Sequence, residues 1–129
     1  MAQTYSDKPT LEAWNALAEA VGSAPKIAFG TYRGSGEFGS GHKNTLTFDF
    51  EPKFIFVHSS QGLEVTADAN SAHMYAFMLM RPATHFTMAH NVNSVIVSWG
   101  DRSVSWYSST SVGGQLNYAT WDYYYIALG

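Results

Sequence analysis

The chain has 129 residues, of which 46 % are hydrophobic and only 13 % charged, where an average protein has about a quarter charged; this excludes a disordered tail and requires a packed core in a single domain. Seven Lys and Arg against ten Asp and Glu leave a net charge of −3, too few cations to neutralise a run of phosphates, which argues against nucleic acid as a partner. There is no cysteine, which removes disulfides, thiolate metal sites and cysteine nucleophiles.

Residues 1–10 are polar and lack a basic region followed by an apolar run, so the sequence predicts no secretory signal. The longest apolar stretches, such as Met74–Met80, fall short of the ~20 residues that span a bilayer, so no membrane insertion is expected. From Pro9 to Val21, Leu11, Trp14, Leu17, Ala18 and Val21 recur at three- and four-residue steps and predict one amphipathic helix. Asp7 or Thr10 can cap it, and Gly22 with Pro25 ends it. Leu11, Trp14, Ala18 and Val21 also fit a and d positions, but over fewer than the ~3–4 heptads of a coiled coil. The stripe therefore suits either an oligomer seam or a helix docked on its own sheet. Residues 1–24 are read as this helical segment and 25–129 as a β-domain.

After Pro25 the period changes to two. Strands are predicted at Lys26–Arg33, Thr45–Phe50, Lys53–His58, His73–Met80, Thr84–Ala89, Ser94–Trp99, Arg102–Tyr107 and Tyr123–Leu128. Eight short strands with turns between them predict an antiparallel β-sandwich or barrel. Gly100-Asp101 suits a two-residue turn, which would set Val97 opposite Val104 and Val95 opposite Trp106, with Ser94, Ser98, Ser103, Ser105 and Tyr107 on the wet face. Tyr124, Ile126 and Leu128 share one face of the last strand, and Tyr123 and Tyr125 are assigned, with Tyr107, Tyr118 and Trp121, to loops, a ligand or an interface.

Gly34-Ser-Gly36 and Gly39 match G-x-G-x-x-G, but a strand follows rather than a helix, so the glycines read as a hairpin loop rather than a nucleotide cradle. His42, His58, His73, His85 and His90 show no metal-binding spacing, and the carboxylates Glu37, Asp49, Glu51, Glu64, Asp68, Asp101 and Asp122 form no catalytic signature. The segment Ser108–Trp121 is rich in Ser, Thr, Gly and amides around Tyr118 and Trp121, a composition shared with binding loops. The residues expected to meet a ligand are Tyr107, Tyr118, Trp121, Gln115 and Asn117, with His85 and His90 from the loop Arg81–Asn93.

Two stretches resemble a known family. Gly30, Tyr32, Gly34, Gly36, Gly39, Leu46, Phe48, Phe50, Pro52 and Lys53 follow the opening pattern of the C-terminal tip domain of tail fibre proteins from phages and prophages of Gram-positive, often gut, bacteria. Val104, Ser105, Trp106, Tyr107 and Ser108, then Gln115, Leu116 and Asn117, then Tyr123, Tyr124, Tyr125, Ile126, Ala127 and Gly129 are similar to its ending, and residues 11–28 to its lead-in helix. Gln61–Met88 match nothing in that pattern. The resemblance implies a jelly-roll-like sandwich behind one short helix, needing no cofactor, in a homotrimer whose seam is Leu11, Trp14, Ala18 and Val21. It implies a non-catalytic virion tip, made in the host cytoplasm, that meets a bacterial surface glycan or protein. A structural fibre cap and a polysaccharide hydrolase are the alternatives.

Overall fold

The computed structural model describes Asn15 and residues 26–63, 65–67, 72–87 and 93–129. Asn15 apart, the predicted helix Pro9–Val21 lies outside the described residues, and with it Leu11, Trp14, Ala18 and Val21. The described chain is all-β. Its strands are β1 (Ile27–Arg33), β2 (Asn44–Thr47), β3 (Phe54–Ser59), β4 (Val65–Ala67), β5 (Ala72–Met74), β6 (Ala76–Met80), β7 (His85–Thr87), β8 (Ser94–Trp99), β9 (Ser103–Ser108) and β10 (Asp122–Leu128). They form two four-stranded antiparallel sheets, ordered β1-β10-β3-β6 and β2-β9-β8-β7, and a ribbon of β4 with β5. The chain starts in the first sheet with β1, crosses to the second for β2, returns for β3 and β6, crosses again for β7, β8 and β9, which are consecutive neighbours, and ends in the first sheet with β10. No helix among the described residues is long and apolar enough to cross a membrane.

Alternation decides what is buried. In β3, Ile55 and Val57 are fully buried, while Phe54, Phe56 and His58 between them are half-exposed. Val95 and Val97 of β8, Val104 and Trp106 of β9, and Tyr123 and Ala127 of β10 point the same way, and these residues with Leu46, Phe77, Leu79, Met74 and Leu116 make one core. Trp106 is its centre, with ring contacts to Phe77 at 5.3 Å and Tyr32 at 6.1 Å, and its indole N–H donates to the Gln115 carbonyl at 2.9 Å. That bond satisfies the one polar atom of a large ring which otherwise gains from leaving water.

The two outer faces are unlike. On β2-β9-β8-β7 the outward residues are Thr45, Ser103, Ser105, Tyr107, Ser94, Ile96 and Ser98, and Thr45 bonds Ser105 across strands at 2.9 Å. On β1-β10-β3-β6, Phe29, Ile126, Phe56 and Met78 lie side by side in register. Ile27, Leu128, Phe54 and Met80 form the next row.

The structure corrects several sequence expectations. Trp99 faces Val104 and Val97 faces Trp106, a register two residues from the predicted one, so the turn residues are Asp101 and Arg102 and Gly100 N–H donates to the Ser103 carbonyl at 2.9 Å. A shift of two keeps every side chain on its face, so the hydrophobic pattern could not detect it. The choice lies with partners outside the hairpin: the Gly100 carbonyl accepts from the Arg81 guanidinium at 2.5 Å, and the Arg102 carbonyl from Phe48 N–H at 2.8 Å. The predicted strand His73–Met80 is two strands, because the chain changes partner at Tyr75, from β4 to β3, and Ala76 and Phe77 are both buried there. Val65–Ala67, expected as loop, is β4. Tyr123 is fully buried rather than exposed, and Tyr125 packs against the core. β10 lies between β1 and β3, and its inner face packs on the core, with Tyr123 and Ala127 buried and Tyr125 half-buried.

Truncating Trp106 to Ala is expected to cost about 3–5 kcal/mol, the usual range for a buried Trp. Urea unfolding of the full chain, read as a lowered midpoint, measures this.

Candidate ligand-binding cleft

Two connections meet at one end of the sandwich: the glycine-rich segment 34–43 between β1 and β2, and the segment 109–121 between β9 and β10. Their backbones touch. A Cβ on Gly34 would lie 1.9 Å from the Tyr118 carbonyl oxygen, so only glycine permits the approach, and Gly34 forms a parallel bridge with Ala119. Gly36 takes φ +82°, which glycine adopts without strain, and donates its N–H to the Asn117 carbonyl at 2.8 Å. The glycine loop predicted as a flexible hairpin is thus pinned along its length.

Buried amides do the pinning. Gln115 is fully buried: its Oε1 accepts from Ser108 N–H at 2.9 Å and Gly39 N–H at 3.0 Å, and its Nε2 donates to the His42 carbonyl at 2.7 Å and Asn44 Oδ1 at 3.2 Å. Asn117 accepts from Ser35 N–H at 3.0 Å and donates to Ser35 Oγ at 2.6 Å and the Glu37 carbonyl at 2.8 Å. Asn93 joins the same layer, accepting from Ser108 Oγ at 2.6 Å and donating to the Gly114 carbonyl at 3.2 Å. No buried side-chain polar atom among the described residues lacks a partner. The side-chain amides of Gln115 and Asn117, two of the residues expected at a ligand, are thus fully bonded within the protein, as buried amides must be, and Asn117 also lines the cleft above. Leu116 between them sits at φ +57° and Thr120 at φ +70°, backbone conformations that L residues rarely take. The carbonyl of Leu116 accepts from Tyr32 Oη at 2.8 Å.

Above this layer opens a cleft of about 250 Å³ lined by Tyr32, Arg33, Ser35, Glu37, His42, Lys43, Asn44, Thr45, Leu46 and Asn117. Glu37 Oε2 stands 2.8 Å from His42 Nδ1, and Arg33 Nε is 3.1 Å from Asp122 Oδ1. Lys43 Nζ lies 5.8 Å from the centre of the Tyr107 ring. Hydroxyls, amides and both charge signs are thus offered on a framework that cannot move freely. Such a lining can take many hydrogen bonds from a hydroxyl-rich ligand. Glu37 is the one carboxylate among the described residues of the lining, and no group of three or more His, Cys, Asp or Glu among the described residues is placed to hold a metal ion.

The remaining predicted residues fall in two places. Tyr118 and Trp121 come together with ring centres 4.6 Å apart, and Tyr75, which sequence reasoning missed, meets Trp121 edge-on at 5.4 Å. Tyr107 and His85 lie in one cross-strand row of the polar sheet face, with Ile96 between them. His90 lies outside the described residues. Arg33 and Lys43 were also missed. The signal for them was charge: Arg33, Glu37, His42 and Lys43 fall within eleven residues of a chain that is only 13 % charged.

Replacing Gln115 by Leu would leave the N–H groups of Gly39 and Ser108 without partners, at about 1–3 kcal/mol for each buried orphan, and hydrogen exchange should show loss of protection in 34–43 first. Burial pushes the Tyr123 hydroxyl up to about 12, against the bond from Tyr118 N–H, and burial raises the Tyr32 hydroxyl as well. An unfolded Tyr ionises near 10, so between pH 10 and 12 the unfolded chain holds fewer protons than the folded one, and stability falls as pH rises through that window. Below pH 10 these two groups leave stability unchanged; denaturant midpoints taken across the alkaline range check the sign. No family model, curated protein or solved structure matches the chain.

Proposed function

We propose that the chain is a non-catalytic receptor-binding tip of a tail fibre, working on the virion outside the host cell and recognising a glycan on a Gram-positive surface. The observation that carries this reading is the open cleft itself, which sets hydroxyl, amide and charged side chains together and whose Lys43 reaches to 5.8 Å from the Tyr107 ring on the neighbouring sheet face. Sugars are bound by such pairings of planar hydrogen-bonding side chains with a ring face. The motifs Gly30-x-Tyr32-x-Gly34-x-Gly36 and Tyr123–Gly129 support the fibre context through the family resemblance, and we read the sandwich as a jelly-roll-like variant on the same ground. A lining with one carboxylate speaks against glycoside hydrolysis in this cleft, which uses two. Weak single sites gain by repetition, so a homo-oligomer, a trimer by the resemblance, would bind with avidity.

Lys43→Ala and Tyr107→Ala are each expected to weaken binding of the purified chain to cell-wall polysaccharide about tenfold, near 1.4 kcal/mol, with the unfolding midpoint kept. Ser98→Ala, on the same sheet face, should bind as the parent does. Background-level binding of the parent to Gram-positive cells and to isolated wall glycans overturns the proposal.

A further inference from the structure

The outer face of β1-β10-β3-β6 is apolar over two full rows, and its side chains stand in the open: Phe29 is 77 % exposed, Met78 65 %, Met80 62 % and Ile27 58 %. A depression of about 240 Å³ lined by Phe29, Phe56, His58, Tyr124, Tyr125 and Ile126 opens on it. A continuous patch of this kind is costly in water and marks a surface made to be covered. Among the described residues, charge stands only beyond the two ends of the rows: Arg33 pairs Asp122 at one, and Lys26, Lys53 and Arg81 adjoin the row of Ile27, Leu128, Phe54 and Met80 at the other.

We propose that residues 9–21 form a helix that lies across this face of their own chain. Leu11, Trp14, Leu17, Ala18 and Val21 fall within one third of a helical turn, and Glu12 and Glu19 fall on the opposite side. Thirteen residues of helix reach about 20 Å, and four strands span about 14 Å between their outermost axes. One helix therefore crosses the sheet from edge to edge. The tether is short and its anchor is fixed: Lys26 is bonded in both directions to Gly129, at 2.8 and 2.9 Å, and Ile27 already belongs to the apolar face. Residues 22–26 reach at most about 17 Å, so the helix is held beside the face at an effective concentration in the millimolar range. A second copy of the chain has no such advantage. The stripe then serves the sheet and is not the seam between subunits, and this holds whether or not the cleft binds a glycan.

The absence of cysteine makes the test direct. Leu17→Cys is combined in turn with Phe29→Cys, Phe56→Cys and Met78→Cys in the full chain, and with Thr47→Cys on the other sheet as control. Under mild oxidation at low protein concentration, at least one of the three pairs should close a disulfide within a single chain in most molecules, and the control should not. Bonds between chains only, as a subunit seam or a second copy on the face would give, overturn the proposal. No bond in any of the three pairs does so too. Peroxide oxidation of Met78 and Met80 in the parent chain gives a reading free of face substitutions: Trp14→Glu should speed it several-fold. Equal rates in parent and variant count against the helix.

Discussion

The side-chain amide of Gln115 sits where three segments must leave the sheets and turn, and in leaving they expose backbone groups that neither sheet can pair. Gly39 and Ser108 present N–H groups and His42 a carbonyl, and one planar amide answers all three with Asn44 as its fourth partner. The backbone carbonyl of Gln115 takes the Trp106 indole N–H, which ties the polar layer to the centre of the apolar core. A buried polar group is costly unless every valence is met. Here the requirement works in both directions, since the amide needs the loops as much as the loops need the amide. The shape of the cleft, the position of Tyr118 and the path of the glycine segment all follow from that mutual need.

Much of the fold can be read from alternation because alternation is what burial acts on. Ile55 and Val57, Val95 and Val97, Val104 and Trp106 each declare an inner face from spacing alone. Partner choice is not so declared: the β8–β9 register is selected by Arg81 and Phe48, which lie 19 and 54 residues from their contacts. The site was harder still. Gln115 and Asn117 have the composition of a binding loop, and an amide facing a sugar is the same residue as an amide facing Ser35. Only the approach of 34–43, separated by over 70 residues, decides between them. Tyr123 misled for a related reason, since a tyrosine belongs in a core when its hydroxyl has a partner, and the partner is the backbone of Tyr118.

The sandwich is two-faced on the outside as well. One sheet presents serine and threonine, compatible with water and with a hydroxylated ligand, and its row from His85 through Ile96 to Tyr107 leads towards Lys43. The other presents phenylalanine, methionine and isoleucine, incompatible with both. The two outer faces thus differ in what they can meet, and a substitution on the polar face leaves the packing demands of the apolar one unchanged.

The bonds that build the cleft join residues 71 to 82 apart in the chain, from Asn44 with Gln115 to Ser35 with Asn117. Contacts of that separation must be preceded by closure of a long loop, and the entropy of closure is lost before any of these bonds forms. The β8–β9 hairpin has no such delay, whereas β1 cannot join β10 until residues 122–128, nearly a hundred positions on, are in place. The cleft is thus a late product of folding: a chain released early from the ribosome carries a nascent hairpin and core side chains, but none of the bonds that shape the cleft.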